Sequence, residues 1–208
     1  MIEIDKITDV SNYIDDLKAV VFDLDDTLYS EKEYVRSGYH EVAKLLQMIP
    51  DAEGKLWSAF ENHQNAIDTV LTDAGIYSDE LKQKCLQAYR LQENPDIHLY
   101  GGVEEMLSKL KRTLKLGIIT DGRSEGQRAK IKSLGLQDKV DEIIITDELG
   151  GIEYRKPCER AFILMHEKLD VPYEQMAYVG DNTKKDFIAP EKFAIRSIWF
   201  KNKDGLYF

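Results

Sequence analysis

"VVFDLDDTLYS" (residues 20–30) joins a strand-like hydrophobic run to a knot of three acids. Val20, Val21, Phe22 and Leu24 suit a buried strand. Asp23, Asp25 and Asp26 do not, because a carboxylate stripped of water without a partner is costly. Two apart on an extended chain, Asp23 and Asp25 face the same way, while Asp26 faces elsewhere and suits the turn. Carboxylates gathered where a hydrophobic run ends call for positive charge at the same place.

Four more β-branched runs follow: "LGIIT" (116–120), "EIIIT" (142–146), "MAYVG" (176–180) and "IRSIWF" (195–200). None alternates strictly between apolar and polar, as expected of strands covered on both faces. Helix-like stretches lie between them, "EGQRAKIKSLGL", "PCERAFILMHEKL" and "KKDFIAPEKF". Strand alternating with helix predicts an α/β fold, a Rossmann-like parallel sheet with helices on both faces. In such sheets the ligand crevice lies beyond the carboxyl ends of the strands, and the polar clusters 23–27, 120–123, 146–148 and 180–182 all fall there. Residues 1–17 read as a short strand and one helical turn.

The interval after the first run is too long for one crossover. Val35, Tyr39, Val42, Leu45 and Leu46 form one helical stripe, and Leu56, Phe60, Ile67 and Leu71 another. Pro50, Gly75 and Pro95 divide the interval into three or four helices. The expected organisation is an α/β core of residues 1–30 and 98–208, with a small α-helical cap domain, 31–97, inserted after the first strand.

Acids outnumber bases 38 to 28 in the 208 residues, a net charge of −10 that argues against nucleic acid or an anionic membrane as the main partner. The N-terminus lacks the pattern of a secretory signal, and no run approaches the length of a spanning helix, so a cytoplasmic protein is expected. Cys85 and Cys158 stand far apart, and the four histidines show no metal-ligand spacing, so the chemistry rests on the acids.

"VGDNTKKD" supplies Asp181 and Asp186 after the fourth of these runs. If that strand neighbours the first, two loops bring about four carboxylates together, and like charges so close need a counter-charge. An oxygen-rich site without His or Cys suits magnesium, completed by water and a substrate phosphate. Lys156, before Pro157 at a helix start, adds positive charge. Thr120, with Asp121 beside it and nearby backbone N–H groups, is placed to hold phosphate oxygens. Together these residues suit phosphoryl transfer by a carboxylate nucleophile.

"DLDDTL" (23–28), "ITDG" (119–122), Lys156-Pro157 and "GDNTKKD" (180–186) resemble, in order, the four motifs of the haloacid dehalogenase (HAD) superfamily. The insert resembles its helical C1-type cap. The resemblance implies Asp23 as nucleophile, forming an aspartyl-phosphate, and Asp25 as general acid and then base. It further implies that Thr120 and Lys156 hold the phosphoryl group. Mg2+ would be ligated by Asp23, Asp181 and the Asp25 backbone carbonyl, with Asp186 and Asn182 in support.

A phosphatase of a small phosphorylated metabolite is the expected function. The insert resembles those of N-acylneuraminate-9-phosphatase-like and nucleotidase-like members, which favours a sugar phosphate and leaves a nucleoside monophosphate open. Asp25 argues against dehalogenation, since true dehalogenases of the superfamily lack an acid two residues after the nucleophile. A phosphomutase of the β-phosphoglucomutase type shares the motifs and remains an alternative, as does a non-enzymatic interaction module.

Overall fold

The computed structural model describes residues 1–206. Six strands form one sheet: β1 (Ile2–Ile4), β2 (Ala19–Phe22), β3 (Lys115–Thr120), β4 (Glu142–Ile145), β5 (Met176–Gly180) and β6 (Arg196–Phe200). Their order is β1-β6-β5-β2-β3-β4, and every neighbouring pair is parallel. From β2 the chain builds outward through β3 and β4, then returns to β2's other side for β5. That reversal opens a crevice beyond the ends of β2 and β5, the switch point where such sheets bind ligands.

Both faces of the central strands are covered, which is why their sequences do not alternate. Val21, Ile119 and Tyr178 pack with Ala161, Phe162 and Met165 of helix α7 (Arg160–Leu169). Val20, Phe22, Leu116 and Ile118 belong to the opposite set by strand alternation and are equally buried. Truncating Phe162 to alanine is expected to cost about 3–5 kcal/mol. Three more helices belong to the α/β unit: α5 (Val103–Leu110), α6 (Ser124–Ser133) and α8 (Ile188–Lys192). The last is shorter than "KKDFIAPEKF" suggests, because a loop of turns precedes it.

The chain divides into two compact units, Met1–Glu31 with Ile97–Phe208, and Lys32–Asp96. The second contains four helices: α1 (Glu31–Leu45, from its second residue), α2 (Ala52–Glu61), α3 (Ala66–Asp73) and α4 (Asp79–Arg90). Val35, Val42, Leu46, Leu56, Ile67, Leu71 and Cys85 make its core. Leu45, expected on the buried stripe, is exposed, because α1 ends there and the chain turns. Ser78 caps α4 by accepting from Leu81 N at 3.2 Å, and Asp51 caps α2 by accepting from Gly54 N. No helix among the described residues is long and apolar enough to cross a membrane.

Candidate active site

Phe22 of β2 pairs with Val179 of β5, so the residues following these strands emerge side by side. Asp23 continues the ladder by donating its N–H to Val179 O at 2.8 Å, and its buried side chain enters the crevice. Asp181 leaves β5 beside it. Asp186, two residues before α8, folds back and accepts from Asn182 N at 3.0 Å. This return depends on Gly180, where a Cβ would run into the Asp186 carboxylate.

Asp23, Asp181 and Asp186 each offer an oxygen within 4.8 Å of the others, and all three are buried. Lys156 meets them from the loop before α7. The helix starts only at Arg160, so the lysine is held by its contacts and not by a helical turn. Its Nζ lies 2.7 Å from Asp23 Oδ1 and 2.8 Å from Asp186 Oδ1, and donates to the Tyr178 hydroxyl at 2.9 Å. The Asp186 contact lacks hydrogen-bond alignment, so that buried oxygen has no directed donor.

Three carboxylates around one ammonium leave excess negative charge. Burial and the neighbouring Asp23 and Asp186 push Asp181 up to about 8. Burial, opposed by Lys156 but reinforced by Asp186, pushes Asp23 up to about 6. Lys156, which burial would deprotonate, is held well above its ordinary value by Asp186 and Asp23. A cluster of oxygen donors with a buried, undirected carboxylate oxygen and no nitrogen or sulfur donor fits a hard divalent cation.

Asp25 behaves differently. The strand ends at Phe22, and Leu24 O accepts from both Thr27 N and Leu28 N as the chain turns. Asp25 Oδ1 accepts from Lys130 Nζ at 2.7 Å and from the Tyr29 hydroxyl, and Oδ2 accepts from Gln127 Nε2 at 2.8 Å. Burial would raise its pKa, but Lys130, Tyr29 and Gln127 outweigh that and hold it below the usual value. Asp26 adopts φ +53° and accepts from Glu31 N, a turn anchor as its position suggested, and it also accepts from Leu206 N of the tail.

Thr120 ends β3, fully buried, and its oxygen accepts from Gln127 Nε2 at 2.5 Å, which leaves the hydroxyl hydrogen to donate. Asp121 turns its carboxylate to protein donors: Thr146 Oγ1 and Lys156 N at 3.0 Å, and Lys185 Nζ at 3.1 Å. Asn182 uses its side-chain oxygen within its own loop, accepting from Lys184 N.

Motif reading missed Tyr29, Gln127, Lys130 and Tyr178. A signal existed for two of them. Gln127, Lys130 and Ile131 occupy the buried helical spacing of α6, where polar residues imply polar partners.

A model of the haloacid dehalogenase-like hydrolase family matches residues 20–200. The chain is 30% identical to a glyceraldehyde 3-phosphate phosphatase of Methanocaldococcus jannaschii, over 90% of this chain and 88% of that one. It is 24% identical to human N-acylneuraminate-9-phosphatase, over 91% and 84%. The fold resembles that of a magnesium-bound HAD-hydrolase from Bacillus subtilis, with a TM-score of 0.62 at 22% identity, over 88% and 86% of the two chains. Sheet, motif positions and relatives converge: the chain belongs to the haloacid dehalogenase-like hydrolase family.

Proposed function

We propose that this protein is a magnesium-dependent phosphatase of small phosphorylated metabolites, with sugar phosphates favoured, acting through an aspartyl-phosphate on Asp23. The enzyme class is phosphoric monoester hydrolase, in keeping with phosphatases as its relatives. The observation that carries the reading is the buried cluster of Asp23, Asp181, Asp186 and Lys156 at the switch point of the sheet.

In this mechanism a carboxylate oxygen of Asp23 attacks phosphorus, and the bond to the ester oxygen breaks. Lys156 offsets the repulsion between two anions, and the Thr120 hydroxyl and Asp121 N–H hold phosphoryl oxygens. Asp25, carrying the proton it takes from water at the end of each turnover, gives that proton to the departing alkoxide. In the second half Asp25 takes a proton from water, whose oxygen attacks phosphorus, releasing phosphate and restoring Asp23. The ionised, donor-rich state of Asp25 suits that second half. Asp23, Asp181 and the Asp25 carbonyl would hold magnesium, with Asp186 and Asn182 bracing the loop. Bound there, the ion would neutralise charge on the nucleophile and the phosphoryl group.

Both relatives are named for phosphorylated carbohydrates, which supports a sugar phosphate here. A phosphomutase would use the same residues. The test is phosphate release from a panel of sugar phosphates and nucleoside monophosphates, with magnesium and with EDTA. Magnesium-dependent turnover of a sugar phosphate is expected. Conversion between isomers without phosphate release would establish the mutase, and inactivity on the panel would contradict the proposal.

A further inference from the structure

Asp25 must act at a fixed place, yet the backbone that carries it is irregular. The ladder of β2 ends with the Asp23 N–H, two residues earlier, and Asp26 immediately after Asp25 has a left-handed conformation. Hydrogen bonds of the sheet therefore do not fix the carboxylate. Side chains do: Tyr29 from the same loop, and Lys130 and Gln127 from α6. Lys130 and Gln127 are 5% and 3% exposed, unusual for a lysine and a glutamine on a helix of a water-facing layer.

Gln127 has two amide hydrogens and two acceptors for them, Asp25 Oδ2 at 2.8 Å and Thr120 Oγ1 at 2.5 Å. A carboxylate only accepts, so this pairing also fixes which way the amide faces. Lys130, one turn further along the same helix face, takes Asp25 Oδ1 at 2.7 Å. The turn that launches α6 is shaped to allow this. Gly122 has φ +138°, and a Cβ there would meet Gln127 Cδ at 3.1 Å.

We propose that Lys130 and Gln127 are positioning residues for the reaction. They fasten the Asp25 carboxylate to the Thr120 end of β3, so that the proton-transfer group and the phosphate-binding hydroxyl keep one separation. The inference rests on the reading of Asp25 as proton donor and acceptor. Neither α6 residue touches substrate. Their effect should appear only where proton transfer limits the reaction.

The test compares p-nitrophenyl phosphate, whose leaving group needs no proton, with phenyl phosphate, whose phenoxide is about as basic as tyrosinate (pKa about 10). Lys130→Met should lower kcat on phenyl phosphate by about 10- to 100-fold, since a small misplacement of a catalytic group costs that much. On p-nitrophenyl phosphate the loss should be a few-fold at most, and KM should hold on both. Lys130→Arg should recover part of the loss. In an Asp25→Asn background Lys130→Met should add no further selectivity, because the group being positioned is gone. Gln127→Met, which removes no charge but also releases Thr120 Oγ1, should show the same selectivity more weakly on top of a small loss common to both esters, and it carries the test if Lys130→Met does not fold. Equal losses on both esters, or a Lys130→Met selectivity that persists in the Asp25→Asn background, would overturn the inference. If Asp25→Asn is selective and neither α6 variant is, the inference alone fails. If Asp25→Asn is not selective, the reading of Asp25 falls and the inference with it.

Discussion

Two carboxylates only two residues apart inhabit opposite environments. Asp23 shares a buried space with Asp181 and Asp186 against one ammonium, so its surroundings carry too much negative charge. Asp25 faces a lysine, an amide and a phenol, and its acceptors are supplied. The first environment carries more negative charge than its ammonium offsets, whereas in the second both carboxylate oxygens have protein donors. Under the proposed mechanism the nucleophile is the group in want of positive charge, and the proton-transfer group is the one held by protein donors.

The largest expected effect lies on the Asp23 side. Asp23→Asn should abolish turnover, a loss of several powers of ten, because the nearly isosteric amide cannot attack phosphorus. Stability should hold or rise, since one of three crowded carboxylates loses its charge. Retention of more than about a tenth of kcat would remove Asp23 as the nucleophile.

On the Asp25 side the same change should read differently. Asp25→Asn should lower kcat on poor leaving groups by about 10²- to 10⁴-fold, and much less on p-nitrophenyl phosphate. It should also lower unfolding free energy, by on the order of 3 kcal/mol, because it removes the carboxylate facing buried Lys130. If Asp23→Asn and Asp25→Asn changed stability alike, the contrast between the two environments would be lost.

A smaller effect is expected one step from the chemistry. Tyr178→Phe removes the aligned acceptor of Lys156 Nζ and should cost about 1–3 kcal/mol in denaturant melts. No change would mean that Asp23 and Asp186 alone hold the lysine.

The sequence made the sheet legible because strands covered on both faces concentrate β-branched residues, and the acids stood out because they follow directly on the uncharged runs "AVVF" and "MAYVG". Placing "VVF" beside "AYV" required the structure, since strand order is not written in any local pattern. The first strand, Ile2–Ile4, was readable as a short run, but its pairing with β6 was not. Within the site, Asp23, Asp181 and Lys156 converge as their motif positions suggest. The tether on Asp25 was hidden because Lys130 lies in "RAKIK", where charge normally marks a solvated helix face. Only its phase with buried Gln127 and Ile131 betrays it. Asp121 looked like part of a phosphate cradle, whereas its carboxylate is committed to Thr146, Lys156 and Lys185, partners separated from it in sequence by 25, 35 and 64 residues.

The central claim is that the Asp23 cluster lacks one cation. Thermal melts of wild type and Asp181→Asn, in EDTA and in millimolar magnesium at fixed ionic strength, test it most directly. Asp181, raised to about 8 in the folded state against about 4 when unfolded, favours folding while protonated. That contribution is full below about pH 4 and is lost as pH rises through about 8, so wild type in EDTA should melt lower at pH 8.5 than at pH 6.5. Magnesium should raise Tm with increasing concentration, by the equivalent of about 2.7 kcal/mol at a hundredfold excess over Kd. The shift should grow with pH, because the ion displaces a proton from Asp181. Asp181→Asn should lose most of the magnesium shift and part of the pH slope, the remainder belonging to Glu31, which burial and the neighbouring Asp25 also push up to about 8. An equal magnesium shift in wild type and Asp181→Asn would mean that these acids do not form a metal site, and would contradict the account.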